Sequence, residues 1–366
     1  MEFIMDMKSL LRKLVETESP THEKEAVDAV GRIVADEARK IGGQVELIPN
    51  QETGDHVVAR WGSGKGGILL LCHMDTVFPL GTLKSMPYRE ADGKLFGPGT
   101  QDMKAGIVIC LAAISDLYAA GGINRPVTLL CTSDEEVGSA TSRTHIEKLA
   151  KEAGLVLVFE PALPDGSLKT WRKGVGQFFV RVKGRAAHSG GDHEKGRNAI
   201  EEMSHQVIRI QKLTDYSKQT TVNVGVMSGG TVSNVVPEHA FIQVDVRVMQ
   251  PGEWERVEAE MKRLSPVLEG TTLTVDGDLN RPPMPFDEKM KATFEKAKSI
   301  AAGIGMELKA GGTGGASDGN FIAPFGIPVL DGMGAVGDGY HSDREFIYEN
   351  SLEEKKNLLV ELIKKW

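Results

Sequence analysis

Five short segments of the 366-residue chain carry side chains that can bind metals or move protons. His73-Met74-Asp75 follows the apolar run Gly67 to Cys72, and Asp134-Glu135-Glu136 follows Val127 to Thr132. Glu160 follows Leu155 to Phe159, Asp102 lies just before an apolar helical stretch, and His341 sits in Gly339-Tyr340-His341-Ser342-Asp343. Carboxylates gathered in one crevice repel one another, and their pKa values rise. Leaving several of them desolvated and uncompensated costs many kcal/mol. Divalent cations remove that penalty, and two histidines supply the nitrogen donors that zinc prefers. Two histidines and three carboxylates are too many for one tetrahedral zinc. They suit two ions ~3.5–4 Å apart that share a carboxylate.

The elements that must position these residues are legible in the pattern. Helical spacing occupies residues 6–16 and 23–41, Val57 to Trp61 reads as a strand, and GILLLC as a strand buried on both faces. A buried helix is expected over 103–120, with further buried strands at 127–132 and 155–159. This alternation predicts an α/β fold, a mixed but largely parallel sheet flanked by helices. In such sheets ligands bind beyond the carboxyl ends of the strands, which is where the five segments emerge. From about Gly174 the pattern changes to β-α-β-β-α-β, with strands at 177–183, 222–227, 240–248 and 271–276 and helices at 196–213 and 252–268. That order predicts an inserted α+β, ferredoxin-like domain. The expected boundaries are 1–173 and 285–366 for the catalytic domain and 174–284 for the insertion. After the proline run, a helix over 287–303, strands at 306–309 and 327–330 and a last helix over 351–365 complete the reading.

The motifs HMDTV, GPGTQDMKAG, the Asp-Glu-Glu-Val-Gly run, Glu160-Pro161 and GYHSD resemble, in order and over nearly the whole chain, the landmarks of the co-catalytic di-zinc exopeptidase and deacylase family. That family includes glutamate carboxypeptidase, aminoacylase, acetylornithine deacetylase and succinyl-diaminopimelate desuccinylase. The resemblance implies that His73 and Glu160 bind one Zn2+, that Glu136 and His341 bind the other, and that Asp102 bridges, with a cis peptide bond after it. Co2+ or Mn2+ are possible substitutes. The resemblance also implies that the inserted domain serves as lid and dimerisation surface. Asp75 would orient the His73 imidazole. Glu135 would be the general base; neighbours on an extended segment point apart, so Glu135 and Glu136 can divide the roles of base and ligand. A zinc-bound water, its pKa drawn toward ~7, would attack the amide carbonyl as hydroxide, and Glu135 would pass its proton to the leaving amine. His188, in Gly184-Arg185-Ala186-Ala187-His188-Ser189-Gly190, would donate to the oxyanion, in relatives often across a dimer. Arg247, Asn234 and Arg281 match substrate-contacting positions, and an Arg fork suits a carboxylate. The glycine-rich run 311–318, with Gly315, would offer backbone N–H groups to an anion.

The implied function is a zinc-dependent carboxypeptidase that releases a C-terminal, glutamate-like residue. The alternatives are an N-acyl-amino-acid deacylase or dipeptidase and, in another class, a metal-free binding protein without catalysis. With 43 Lys+Arg against 51 Asp+Glu the net charge is −8, which argues against nucleic acid as a partner. No apolar run approaches the ~20 residues of a membrane span, and the N-terminus reads as a first helix without a signal peptide. Cys72, Cys110 and Cys131 lie in apolar runs and read as buried, reduced thiols in a cytoplasmic protein. A homodimer is expected through the insertion.

Overall fold

The computed structural model describes residues 5–366, so residues 1–4 of the expected N-terminal reading lie outside the described residues. The chain divides into two compact units. Unit 1 comprises residues up to Trp171, Pro285–Thr313 and Ser317–Trp366; unit 2 comprises Arg172–Met284 and Gly314–Ala316.

Unit 1 opens with α1 (Met7–Val15), α2 (Lys24–Lys40), β1 (Gln44–Ile48), β2 (His56–Trp61) and β3 (Gly67–His73). It continues with β4 (Arg89–Ala91), β5 (Lys94–Phe96), α3 (Ala105–Ala119), β6 (Val127–Thr132), α4 (Arg143–Glu152), β7 (Ala153–Val158) and β8 (Leu168–Arg172). Unit 2 supplies β9 (Gly174–Lys183), α5 (Ala199–Gln211), β10 (Thr221–Gly229), β11 (His239–Val248), α6 (Glu253–Lys262) and β12 (Thr272–Arg281). The chain then returns to unit 1 through α7 (Glu288–Ala302), β13 (Ala310–Thr313), β14 (Val329–Leu330), β15 (Gly337–Asp338), β16 (Phe346–Tyr348) and α8 (Glu349–Lys365).

The main sheet has the order β1-β2-β6-β3-β7-β14; β6, β3, β7 and β14 run parallel, and β1 and β2 are antiparallel. All seven residues of β3 are buried, as a central strand covered on both faces requires. Ile68, Leu70 and Cys72 join the core formed by α1, α2, α3 and α8, while α4 contacts β3 and β7. α3 is buried on every face from Ala105 to Ser115, so it is an interior helix over that length. Gly106 brings it close to the sheet, because a Cβ there would lie 2.5 Å from the Phe159 carbonyl oxygen. The three cysteines are free and buried, with Cys72 and Cys110 sulfurs 3.7 Å apart; burial pushes the Cys72 thiol well up. Among the described residues no helix is long and apolar enough to cross a membrane.

Unit 2 is an antiparallel sheet of order β10-β11-β9-β12, with α5 and α6 packed against it. Burial alternates along β9 and β11, and the inward residues Phe178, Val180, Ile242, Val244 and Val246 form its own core with Met203, Val257 and Met261. The expected helix over 252–268 stops at Lys262. Pro266 disfavours helical backbone at Ser265, and the buried Glu202 carboxylate captures the N–H groups of Val267 and Leu268.

Arg172 and the 314–316 tripeptide also belong with unit 2. Arg172 exchanges backbone hydrogen bonds with Met284, and its guanidinium donates to the carbonyls of Gly315 and Ala316. The strand expected at 306–309 forms later, at Ala310–Thr313, where it pairs with β8. Its glycines serve close packing: a Cβ at Gly312 would lie 2.2 Å from the Trp171 ring. Part of the glycine run read as an anion loop is therefore strand, and Asp318–Phe321 is a single 3₁₀ turn capped by Ser317.

One ion-pair cluster in unit 2 sets an acid limit. Buried Glu253 accepts hydrogen bonds from Arg256, Thr220 and Lys218. The Arg256 guanidinium leads in holding its carboxyl down, at about 2. A carboxyl lowered on folding adds stability above its unfolded pKa and loses it as pH falls through the folded value. Hydrogen bonds to charged groups are worth ~1.5–3 kcal/mol, and the part-exposed cations screen the pair, so Glu253→Gln is expected to cost about 1–2 kcal/mol at pH 7. In urea titrations the gap to wild type should shrink between about pH 5 and pH 3. A gap constant over that range would contradict the assignment.

Candidate functional site

The parallel strands β3 and β6 end side by side at His73 and Thr132, and β7 ends at Val158 beside Leu71 of β3. β3 lies between β6 and β7, so the sheet reverses strand order here, and a crevice opens at the carboxyl edge. Unit 1 alone brings together His73, Asp75, Asp102, Glu135, Glu136, Glu160 and His341.

His73 is buried at the end of β3. Its Nδ1 lies 3.0 Å from the main-chain oxygen of Asp75 and 3.4 Å from Asp75 Oδ1. Its Nε2 lies 3.0 Å from Asp102 Oδ1 and 3.5 Å from Glu160 Oε1. His341 has the same relation to the other side of Asp102: its Nε2 is 3.2 Å from Asp102 Oδ2 and 3.2 Å from Glu136 Oε2. Donor atoms of His73, Asp102 and Glu136 fall within 4.8 Å of one another, as do those of His73, Glu135 and Glu160.

An imidazole whose Nδ1–H faces a carbonyl carries a lone pair on Nε2. That lone pair would face carboxylate oxygens, acceptor against acceptor, unless a cation or a proton lies between them. Burial alone would lower His73, but the Asp102, Asp75 and Glu160 carboxylates outweigh it and hold the ring well above its ordinary value. The Asp102 and Glu136 carboxylates raise His341 to about 10. Burial works to raise Asp102, and the two rings overcome it and hold the carboxyl far below the usual range. Burial raises Glu136, whose Oε1 is buried without a hydrogen-bond partner. Imidazole nitrogens and carboxylate oxygens converging around one bridging carboxylate, with an orphaned buried oxygen beside them, fit a pair of divalent cations. Binding would displace the protons.

The Asp134-Glu135-Glu136 run differs from its expected form. Glu135–Val137 is a 3₁₀ turn, not an extended segment. The two glutamates still diverge, because Glu135 faces His73 and Glu160 while Glu136 faces Asp102 and His341. Asp75 pins that turn: its carboxylate accepts the N–H groups of Glu135 at 3.3 Å and Glu136 at 3.1 Å, and the Thr21 hydroxyl at 2.8 Å. For the His73 ring the nearer acceptor is the main-chain oxygen of Asp75, not its carboxylate. The Asp102–Met103 peptide is cis.

The decisive comparison is with a family profile described as Peptidase family M20/M25/M40, which matches residues 69–365. The chain belongs to that family. M20 peptidases are metal-dependent hydrolases of peptide and amide bonds, and this M20 chain is accordingly such a hydrolase. Carboxypeptidase G2 of Pseudomonas sp. (strain RS-16) is 32% identical over 370 residues, covering 96% of this chain and 87% of that protein. Among solved structures, aminopeptidase PepT of Bacillus cereus superposes with a TM-score of 0.77 at 22% identity, over 99% of both chains. An M20 family metallo-carboxypeptidase from Sulfolobus solfataricus superposes with a TM-score of 0.77 at 16% identity, over 98% of this chain and 99% of that one. These two likenesses establish the shared mixed α/β fold.

The remaining expected residues lie in unit 2. His188 Nδ1 accepts the N–H groups of Gly190 (3.1 Å) and Gly191 (3.0 Å), so the ring proton resides on Nε2. The Asn234 carbonyl accepts the Ser189 N–H, which places Asn234 beside the His188 segment. Arg247 is partly committed already: it pairs with Asp245, Nε to Oδ1 at 2.9 Å and Nη2 to Oδ2 at 2.9 Å. Arg281 is buried at the end of β12 and donates to Asn280. Gly315 accepts from Arg172.

Sequence reasoning missed Thr21, Lys104 and Glu345. Burial pushes the Glu345 carboxyl up to about 8, although three backbone N–H groups favour its anion. Its signal was available, since it lies in the same run as His341.

Proposed function

We propose that this M20 hydrolase is a di-metal carboxypeptidase that cleaves the amide bond to a C-terminal, glutamate-like residue. One observation carries the reading: two imidazole Nε2 atoms converge on opposite oxygens of Asp102, with Glu160 and Glu136 on either flank and Glu135 beside them. His73 and Glu160 would hold one ion, Glu136 and His341 the other, and Asp102 both. When bound, the ions supply Lewis acidity and a nucleophile usable near neutral pH. Glu135 accepts a proton from the attacking water and returns it to the leaving amine. Asp75 holds both the His73 ring and the Glu135 turn in place. His188, with its proton on Nε2, is assigned to donate to the developing oxyanion. Arg281 and the Gly315 loop are assigned to the substrate carboxylate, and Arg247 and Asn234 to contact with the substrate. The 32% identity to a carboxypeptidase supports this substrate class over N-acyl amino acids.

A hydrolysis panel tests the reading. With added zinc, cobalt or manganese, a dipeptide ending in glutamate should turn over at least ~10-fold faster than an N-acetyl amino acid, a difference of only about 1.4 kcal/mol in barrier. The reverse preference would make the protein a deacylase, and absence of hydrolysis with full metal occupancy would sink both readings. The homodimer rests on the open edge of β10 in unit 2; light scattering that finds a fully active monomer would remove it.

A further inference from the structure

Glu345 has no exposed surface. Its Oε1 accepts the backbone N–H groups of Gln101 (2.7 Å) and Asp102 (3.0 Å), and its Oε2 accepts that of Gly99 (3.0 Å). Three N–H groups of one loop thus converge on the two oxygens of one buried side chain. Near this side chain lies the buried Lys104, whose Nζ donates to the Thr17 carbonyl at 2.9 Å.

The backbone of Glu345 has a second attachment. The Ser342 N–H and hydroxyl both donate to the Gly339 carbonyl, and the Glu345 N–H donates to the Ser342 carbonyl. His341 is held inside this closed turn. Gly339 (φ +82°) permits the closure, since a Cβ there would lie 2.8 Å from the Arg344 carbonyl oxygen. Immediately after Glu345, β16 pairs with β5 and β15 and fixes the end of the turn. One residue therefore ends the His341 turn with its main chain and grips the Asp102 loop with its side chain.

We infer that Glu345 is a positioning residue: it sets the spacing between Asp102 and His341, and so shapes the metal centre without touching a metal. The inference rests on the metal-dependent reading above. Glu345 acts by presenting acceptors to three N–H groups, so its effect follows acceptor number. Glutamine keeps the volume and one oxygen for Gln101 and Asp102, but turns an amide NH2 toward the Gly99 N–H. Alanine removes every acceptor.

The experiment uses the full chain, stripped of metal and titrated with Zn2+ against a competing chelator. The Co2+ absorption spectrum and the circular dichroism of the metal-free protein are recorded alongside. Glu345→Ala is expected to weaken zinc binding ~10–100-fold, the usual effect of removing a partner that orients a metal ligand, and Glu345→Gln by less. Both should alter the cobalt spectrum while the metal-free fold stays native. Zinc affinity and cobalt spectrum unchanged in both variants would overturn the inference. So would a Gln variant identical to wild type beside an Ala variant that unfolds, which would show that Glu345 only fills space. If wild type itself binds no zinc, the di-metal reading fails first, and the inference with it.

Discussion

Glu135→Gln is expected to lower kcat by ~10²–10⁴-fold, the ordinary contribution of a positioned general base. Metal content and KM should change little. The expectation follows from the split of the Glu135-Glu136 pair. Glu136 Oε2 lies 3.2 Å from His341 Nε2, whereas Glu135 faces His73 and Glu160. The Glu135 backbone is held by Asp75 at 3.3 Å, a bond that a side-chain amide does not disturb. Glutamine retains volume and polarity and loses only the basic oxygen. Steady-state kinetics with metal analysis on the same sample check this. Activity within a factor of ~3 of wild type would remove Glu135 from the proton path, because even weak general-base catalysis contributes more.

The second large effect is expected at Asp102. Its two oxygens face two different imidazoles, at 3.0 and 3.2 Å. Asp102→Ala deletes the acceptor shared by both halves of the centre. Metal-ion catalysis supplies several kcal/mol of charge stabilisation, so the expected loss of kcat/KM is ~10³-fold or more. Metal analysis after dialysis should find both ions depleted in Asp102→Ala. Asp102→Asn, which keeps one carbonyl oxygen, should retain more metal than Asp102→Ala. Equal metal content in wild type and Asp102→Ala would show that the ions do not depend on a shared carboxylate.

The central strands were the most legible part of the sequence. Runs such as GILLLC and VTLLC have only one stable place, between covered faces, and the chemistry-bearing residues follow them directly. Elements with weak apolar stripes were hidden. α4 buries only Ile146 and Ala150, β1 is an edge strand with no buried residue, and β4, β5, β15 and β16 are two or three residues long. The glycines at 311 and 312 misled for a physical reason, since glycine marks both exposed amides and close packing. Here the side chains of Leu163 and Trp171 demand the second. The residues that converge around Asp102 could be named from segment endings. The clamps around them were harder to see: Lys104 and Glu345 act on backbone groups, which leave no spacing rule although Glu345 shares a run with His341, and Thr21 meets the Asp75 carboxylate from 54 residues away. The Glu135 turn was misread as extended, since nothing local announces that Asp75 will draw two successive amides onto one carboxylate.

Gly314–Ala316 has a consequence for how such chains recombine. The tripeptide is separated from the rest of its unit by α7 and β13, yet Arg172 and Arg247 reach for its carbonyls. An insertion exchanged between relatives as one continuous block would leave this outpost behind, with arginines from one ancestor meeting a loop from another. Viable chimaeras should therefore be those that transplant both pieces together.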